Sequence, residues 1–215
     1  MELDKIIKEE KTKENIYKII SVLYYIPQEE MFEADLLSNL VENTKNLSPE
    51  LFELAKDCKL AFQKAELDDL KVDHAQLFVG PFELSAPPYG SVYLEDGRTV
   101  MGDSTLDVIE KYKAAGLNTD DNFKEPPDHI SVELEFMYYL IFNLIEELKQ
   151  DDLQAAKEYY QTQQNFLEQH LLKWVPEFSQ KIEENAQSKA YKLLAKLSKE
   201  FLEYDYDQAV NFNII

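Results

Sequence analysis

Apolar residues recur at the three- and four-residue spacing of an α-helix along most of this chain. Ile16, Ile19 and Leu23 form one such stripe, and Pro27 ends the helix that carries it. The same spacing continues in later segments, with polar residues on the opposite faces. The pattern predicts an all-α protein, a single globular helical domain of about ten helices.

Several helix ends are marked by residues that cap helices. Ser48 followed by Pro49 is typical of an N-cap and a first helical turn. Gly116 followed by Leu117 fits a Schellman ending, in which glycine supplies the left-handed backbone. Asp128 precedes the most apolar segment of the chain, so we expect it to cap a helix that lies centrally in the core. Three more helices are predicted after that one, at residues 152–172, 176–184 and 188–203.

One interval departs from the helical pattern. All five glycines lie between Gly80 and Gly116, and five of the eight prolines lie between Pro81 and Pro127. Glycine permits a positive φ and proline fixes φ, so this composition indicates a shaped loop. A long loop inside a helical domain usually carries function. We predict one long ordered Gly/Pro loop over residues 80–102.

The loop also organises the predicted domain. Its prolines are rigid and its apolar side chains must be hidden, so we expect it to pack against the start of the helix after Asp128. A turn signal at residues 95–98 favours a short hairpin there.

The chain then divides into an N-terminal half (1–117), a hinge (118–127) and a C-terminal half (128–215). The hinge would permit exchange of the C-terminal half between two chains, so we expect a monomer or a domain-swapped dimer.

Composition narrows the classes of partner. A net charge of −20 argues against nucleic acid and anionic membrane surfaces, and it favours a cationic partner. The single cysteine, Cys58, falls on the apolar face of a predicted helix and excludes a disulfide framework. No uncharged run approaches the roughly 20 apolar residues that span a bilayer. The charged N-terminus has no apolar signal region, so we expect a cytoplasmic protein.

The residues that most often carry catalysis are scattered. His74, His129 and His170 are far apart, on different predicted helices. Asp128, His129 and Glu133 could be imagined around a metal ion, but their order does not match a zinc motif and no second histidine is near. A nucleophile elbow and a phosphate loop are both missing. We therefore expect no enzyme activity, metal or cofactor, with a metal-dependent hydrolase and a nucleotide-binding protein as the alternatives.

Aromatic and proline side chains crowd the first part of the loop. They either fold down as part of the core or present a surface for an extended or helical peptide. The acidic groups nearby in sequence (Glu83, Glu125 and Asp128) would favour a peptide that carries arginine or lysine. Within sixteen residues the cluster contains Phe78, Phe82, Pro87, Pro88, Tyr89 and Tyr93.

Four motifs follow one another in a distinctive order. They are YYIP from Tyr24, LFVGPFELSAPPYGSVYLEDGRTVMGDSTLDVIEKYKAAGL from Leu77, EPPDHISVELEF from Glu125 and HLLKW from His170. In content and separation they resemble the TorD/DmsD family of cytoplasmic molybdoenzyme-maturation chaperones, and the DmsD branch is the most similar. The resemblance covers most of the chain.

This resemblance implies a non-catalytic, all-helical chaperone. Such proteins bind the twin-arginine signal peptide of a molybdenum-cofactor oxidoreductase of the dimethyl sulfoxide or trimethylamine N-oxide reductase type. They hold its catalytic subunit until the cofactor is inserted, before export by the twin-arginine (Tat) translocase, whose components are further candidate partners. Carboxylates would bind the two arginines, and the loop aromatics would bind the apolar stretch that follows them. The alternative is a NarJ-like chaperone that acts on a mature oxidoreductase subunit.

The family pattern also implies a set of peptide-binding positions. The chain departs from the pattern where close relatives have tryptophan and this chain has another residue, and at Pro127, where an acidic residue is common. Because of these departures, the family pattern does not identify the cargo enzyme. The tryptophan positions are His74, Phe82, Tyr89 and Tyr93, and the whole candidate set is Tyr24, His74, Leu77, Phe78, Phe82, Pro87, Pro88, Tyr89, Tyr93, Glu125, Asp128 and His129.

Overall fold

The computed structural model describes residues 2–29, 31, 35–80, 84–97, 100–117 and 125–210. These residues are mainly helical, and their only extended pairing is an isolated antiparallel bridge between Tyr89 and His129. The prediction of an all-α fold is confirmed. The α-helices are α1 (Glu2–Leu23), α2 (Leu36–Thr44), α3 (Pro49–Lys64), α4 (Leu67–His74), α5 (Ser91–Leu94), α6 (Asp103–Ala114), α7 (Ile130–Lys149), α8 (Leu153–Phe166), α9 (Leu172–Asn185) and α10 (Lys189–Val210), with π-helical turns at Ala75–Val79 and Leu167–Leu171.

Helix α7 lies at the centre of the core, as its nearly continuous apolar surface predicts. Ile130, Leu134 and Met137 on this helix are completely buried. It packs against α1 on one side and α8 on another, while α10 packs against α9 and α3. The N-terminal and C-terminal helices therefore share one hydrophobic core. Burial of each large apolar side chain contributes about 1.5–3 kcal/mol, so this shared core carries most of the stability.

Two predicted caps are present. The Ser48 hydroxyl accepts a hydrogen bond from the Leu51 amide at 3.0 Å. After α6, the Leu117 amide donates to the Tyr112 carbonyl at 2.9 Å and the Gly116 amide donates to the Lys113 carbonyl at 3.0 Å, which is a Schellman ending. Gly116 has a φ of +79°, a conformation that glycine adopts without the strain of a Cβ atom.

Two local predictions are wrong. The helices predicted at residues 152–172 and 176–184 are nearly continuous, because α8 passes through the π turn into α9 and Pro176 lies inside α9. An internal proline costs about 3 kcal/mol, but the fully buried Trp174, Val175 and Phe178 around it together contribute more than that. The residues before the expected hairpin form the short helix α5, and residues 95–97 form a turn; Arg98 and Thr99 lie outside the described residues.

The division into halves with a hinge stays a prediction, as does the exchange of halves between chains. Residues 118–124 of the hinge lie outside the described part of the chain. No helix in the described ranges combines the length and apolar content needed to cross a bilayer.

A buried ionic network joins the two ends of the chain. The Lys13 ammonium lies 2.9 Å from a carboxylate oxygen of Glu10 and 2.9 Å from one of Asp205, and the Tyr17 hydroxyl donates to Asp205 at 2.7 Å. All four side chains are buried. Burial raises the pKa of Glu10, and the adjacent Lys13 opposes that rise. Lys13 thus balances two carboxylates that have no access to water, and it ties α1 to α10.

Replacement of Lys13 by Met should lower the free energy of unfolding by about 3–5 kcal/mol, because it leaves two buried carboxylates without their cation. Lys149→Met is the matched control, since Lys149 also pairs with a glutamate three residues away, at 2.7 Å, but the two side chains are 53% and 41% exposed. That change should cost no more than about 1 kcal/mol. Urea unfolding of both variants is the measurement. Equal losses of unfolding free energy in the two variants would mean that the buried network stabilises the fold no more than an exposed ion pair does.

Candidate functional site

The loop is fixed to the start of α7 by backbone hydrogen bonds. The Ile130 amide donates to the Pro88 carbonyl at 2.8 Å, and the Gly90 amide donates to the Asp128 carbonyl at 2.9 Å. Together with the isolated bridge, these bonds form a short antiparallel pairing. The expectation that the loop packs against the start of this helix is confirmed at residues 88–91.

Asp128 does not cap α7, contrary to the prediction from sequence. Its carboxylate accepts a hydrogen bond from the Ser91 amide at 2.7 Å, at the start of α5. The cap of α7 is His129, whose Nδ1 accepts from the Ser131 amide at 3.2 Å. The loop brings the Ser91 amide to the start of α7, and the Asp128 carboxylate accepts its hydrogen bond instead of one from α7. Asp128 therefore holds the loop onto α7.

His129 lies between two tyrosines, each of which is bonded to a glutamate. Its ring stacks on Tyr25 with centroids 6.2 Å apart and meets the edge of Tyr89 at 5.6 Å. The Tyr89 hydroxyl donates to Glu125 at 2.7 Å, and the Tyr25 hydroxyl donates to Glu135 at 3.0 Å. Both glutamates are exposed, whereas the histidine is buried. We call these five residues the tyrosine–glutamate site.

The charges of this site are set by burial. Desolvation lowers the pKa of His129 to about 4, with a smaller contribution from His74, and Asp128 only partly opposes the change. His129 is therefore uncharged at neutral pH. Desolvation also raises the pKa of Glu135, while the hydrogen bond from Tyr25 acts in the opposite direction. The site thus combines carboxylate oxygens with uncharged aromatic rings, a combination that suits a guanidinium group.

Four of the predicted site residues lie beneath the surface. The Tyr24 hydroxyl donates to Ser198 at 3.1 Å, and the His74 Nε2 donates to the Tyr24 carbonyl at 3.2 Å. Leu77 and Phe78 are buried in the same layer, with Phe78 against the rings of Tyr24 and His74. These side chains form the layer beneath the loop, and their apolar surface is part of the hydrophobic core. Their role as peptide contacts stays a prediction.

Three further candidates shape the loop itself. The Tyr93 hydroxyl donates to the Pro87 carbonyl at 2.8 Å, and its ring stacks on Trp174 with centroids 5.5 Å apart. Pro88 is buried, while Pro87 and Tyr93 are partly exposed. These contacts hold the loop in one shape. Phe82 lies outside the described residues.

The three side chains considered as metal ligands do not face a common point. The carboxylate of Asp128 binds the Ser91 amide, and a carboxylate oxygen of Glu133 accepts from the Trp174 ring nitrogen at 3.1 Å. Burial raises the pKa of Glu133 well above its usual range, which favours the neutral acid. In the described ranges no group of three or more His, Cys, Asp or Glu side chains is arranged to hold a metal ion. The hydrolase alternative therefore has no ligand set in this part of the chain.

Tyr25 and Glu135 were missed in the reading of the sequence. Tyr25 directly follows the predicted candidate Tyr24, but α1 ends at Leu23, and the Tyr24 hydroxyl bonds to Ser198 in the core whereas the Tyr25 hydroxyl bonds to the exposed Glu135. Glu135 is one of two acids in an otherwise apolar helical stretch. Residues two apart on a helix lie about 200° around the axis, so one of these acids is buried and the other is exposed. An acidic residue in an otherwise apolar helix is the feature of the sequence that could have identified Glu135.

Comparisons with known proteins agree with this architecture. Residues 38–180 match the family described as nitrate reductase delta subunit. Relatives named Chaperone protein TorD include one from Vibrio cholerae, 32% identical over 145 residues (66% of this chain and 63% of the relative), and one from Aliivibrio fischeri, 29% identical over 170 residues (79% and 77%). The solved structure of a putative redox enzyme maturation protein from Archaeoglobus fulgidus has a TM-score of 0.53 and 26% identity, covering 88% of this chain and 93% of that one. The chain thus spans less than two thirds of the length of the Vibrio cholerae relative.

The pKa of His129 predicts a specific pH dependence of stability. Below its ordinary pKa of 6.5 the unfolded chain takes up a proton at this residue, whereas the folded chain resists uptake until about pH 4. The free energy of unfolding should therefore fall as the pH decreases from 6.5 to 4, by up to about 3 kcal/mol from this group. His129→Asn keeps an N-cap but cannot titrate, so its stability should fall less steeply. Urea unfolding at several pH values tests this, and identical slopes for the two proteins would contradict it.

The structural role of Asp128 can be separated from its charge. Asp128→Ala leaves the buried Ser91 amide without an acceptor and should cost about 1–3 kcal/mol, whereas Asp128→Asn keeps an acceptor and should cost less. Hydrogen exchange at the Ser91 amide should accelerate only in the alanine variant. Asp152→Ala is the control, because Asp152 accepts from the Ala155 amide at 3.0 Å at the exposed start of α8. Unchanged exchange at Ser91 in Asp128→Ala would show that Asp128 does not hold the loop.

Proposed function

Because the chain belongs to the TorD family of redox enzyme maturation chaperones, we propose that it is a cytoplasmic chaperone for a molybdenum-cofactor oxidoreductase of the dimethyl sulfoxide or trimethylamine N-oxide reductase type. It binds the twin-arginine signal peptide of the catalytic subunit. It holds that subunit for cofactor insertion before export by the Tat translocase, whose components are further candidate partners.

The observation that carries the proposal is the tyrosine–glutamate site. Glu125 and Glu135 are exposed carboxylates, and each accepts a hydrogen bond from a tyrosine on one side of His129. Each tyrosine holds its carboxylate in place, which reduces the side-chain entropy that binding would otherwise remove. The site therefore presents two anchored anions rather than two mobile ones.

Two carboxylates fit two arginines. A guanidinium binds a carboxylate through two parallel hydrogen bonds and also stacks on aromatic rings. In an extended peptide, consecutive side chains point to opposite sides, so neighbouring arginines can reach two separate anions. Both tyrosines contact the ring of His129, so the two tyrosine–glutamate pairs lie on either side of one residue, where a single peptide can reach both.

The neutral state of His129 is part of this recognition. A protonated imidazole between the two pairs would repel an incoming arginine, whereas burial keeps this ring uncharged at neutral pH. The net charge of −20 adds a long-range attraction for a cationic segment. Local contacts and the overall field therefore favour the same class of ligand.

A second candidate is a NarJ-like chaperone that acts on a mature oxidoreductase subunit. It is favoured by the description of the matching family as nitrate reductase delta subunit. Binding measurements with an isolated signal peptide and with the mature enzyme separate the two functions. Binding of the mature subunit together with failure of the peptide would support this second candidate.

Glu125→Gln and Glu135→Gln should each weaken binding of a twin-arginine peptide by about tenfold, because a charge-assisted bidentate pair becomes a neutral contact. Glu42→Gln is the control, because Glu42 is an exposed acid on α2 that forms only a loose pair with Lys45 at 3.6 Å. Replacement of both peptide arginines by lysines should weaken binding to the wild-type protein at unchanged ligand charge. Calorimetry at two salt concentrations measures these effects.

Two results would contradict the proposal. One is equal binding of the arginine and lysine peptides, which would reduce recognition to charge alone. The other is an equal effect of all three glutamine variants, which would place binding in the general acidic field and not at the tyrosine–glutamate site.

A further inference from the structure

Glu133 is a completely buried acid beneath the loop. One of its carboxylate oxygens accepts a hydrogen bond from the Trp174 ring nitrogen at 3.1 Å. The other, Oε1, has no hydrogen-bond donor among the described residues. Buried carboxylates are normally paired with a cation or with several donors, because an unpaired buried charge is costly. The surroundings of Glu133 therefore do not provide for a negative charge.

The loop covers this carboxylate at Gly90. A Cβ atom at Gly90 would lie 3.2 Å from Oε1 of Glu133 and 3.2 Å from the Trp174 ring nitrogen, so the acid lies directly against the loop. Tyr89, whose hydroxyl binds Glu125, precedes Gly90 in the sequence. The unpartnered oxygen is thus located beneath the segment that forms one side of the tyrosine–glutamate site.

Glu133 holds a proton in the free protein. Neither carboxylate oxygen is paired with a lysine, arginine or histidine side chain of the described residues. A carboxylate without such a partner becomes protonated when it is buried, since the neutral acid loses less hydration. Burial accordingly raises the pKa of Glu133 well above its usual range; the bond from Trp174 opposes this rise, and the charge of Asp128 adds to it.

The ionisable groups that act on Glu133 in the described structure come from α6 and from the start of α7. Asp128 lies before α7, and Tyr112 lies on α6, where burial raises its pKa well above the usual range and keeps it neutral. His129 is uncharged above its lowered pKa of about 4. The contacts from the loop and from α9 are to groups that do not titrate. Asp128 therefore helps to keep the proton on Glu133, and a positive charge brought to this end of α7 would favour its release.

Glu133 is coupled to the tyrosine–glutamate site through the first turn of α7. Its amide donates to the His129 carbonyl at 3.0 Å, so the two residues lie one helical turn apart on the same face. At a separation of about 10 Å and an effective dielectric constant of about 20, a unit positive charge lowers the pKa of an acid by about one unit. An arginine bound at the site therefore acts on the proton without touching the acid.

We propose that Glu133 releases a proton when a peptide with two arginines binds at the tyrosine–glutamate site. The O–H bond of the acid breaks, its electron pair stays on the carboxylate, and a base of the solvent takes the proton. The buried carboxylate then adds a third negative charge beneath the ligand. This inference rests on the proposed function, and it makes Glu133 a group that responds to the charge of the ligand without contacting it.

The release of a proton determines how the affinity depends on pH. The complex holds fewer protons than the separate peptide and protein, so binding should become stronger as the pH rises. The increase should fall between the pKa of Glu133 in the complex and its higher pKa in the free protein, and a difference of one unit corresponds to about tenfold in affinity. At lower pH, Glu133 stays neutral in both states and contributes no pH dependence.

The test measures proton release by the full chain during binding of an acetylated twin-arginine peptide. Calorimetry in phosphate and in Tris at the same pH gives the number of protons, because the two buffers differ in ionisation enthalpy. Between about pH 6 and about pH 9 the wild-type protein should release a maximum of about half a proton per peptide, for a pKa difference of one unit. Glu133→Gln reproduces the neutral acid and keeps an acceptor for Trp174, so it should bind the peptide without this release.

Glu135→Gln is the matched control, because Glu135 lies on the same helix and burial also raises its pKa. At saturating peptide this variant should still release the proton, although it binds more weakly. Trp174 is the single tryptophan of the chain, so unchanged fluorescence of Glu133→Gln shows that the buried layer is intact. Infrared difference spectra of the wild type should lose a protonated-carboxyl band on binding, which tests the inference even if Glu133→Gln does not fold.

The possible outcomes separate this inference from the function on which it rests. Release by the wild type and by Glu135→Gln, together with its absence in Glu133→Gln, supports the inference. Equal release in Glu133→Gln, loss of release in Glu135→Gln, or binding by the wild type without any release overturns it and leaves the proposed function intact. Failure of the peptide to bind the wild-type protein overturns the inference together with the proposed function.

Discussion

The pairing between the loop and the first turn of α7 is the interaction on which the rest of the site depends. Asp128 makes two of its bonds, one from its carbonyl to the Gly90 amide and one from its carboxylate to the Ser91 amide. Both amides are in the buried part of the loop, where an unpaired polar group costs about 1–3 kcal/mol. These bonds place Tyr89 beside His129 and direct the exposed end of the loop toward α6.

The same interface determines which groups carry charge. His129 is buried by the two tyrosines and the loop, and its pKa falls to about 4, so the ring remains neutral. Glu133 lies one helical turn further along α7, beneath Gly90 and against Trp174, and burial raises its pKa well above the usual range. Glu135, on another face of the helix, remains exposed. Among the acids of this interface, Asp128 and Glu133 are buried, and Glu125 and Glu135 are the ones that a cationic ligand can reach.

The core connects this site to both ends of the chain. Tyr25 reaches His129 because α1 packs along α7, and the buried Lys13 network fixes α1 to α10. The tyrosine–glutamate site therefore consists of the end of one helix, the start of another and a loop between them. Preorganisation of this kind reduces the entropy lost when a flexible peptide binds, which is the main thermodynamic cost of such recognition.

The sequence by itself determined the features that depend on neighbouring residues. Helical periodicity predicted the all-α fold and the central position of α7, and local caps at Ser48 and Gly116 were correct because their partners lie within five residues. The glycine and proline content identified the loop, and the motifs identified the family. Most of the candidate residues do lie around the interface between the loop and α7, although several of them are beneath its surface.

Tertiary structure alone decided the features whose partners are distant in sequence. Asp128 binds an amide 37 residues away, so its apparent role as a cap of α7 could not be corrected from local pattern. The core takes Tyr24 and leaves Tyr25 at the surface, because the end of α1 sets their directions. Pro176 remains inside a helix since the surrounding burial outweighs its missing hydrogen bond. In each case the deciding free energy comes from packing between elements, which spacing along the chain does not contain.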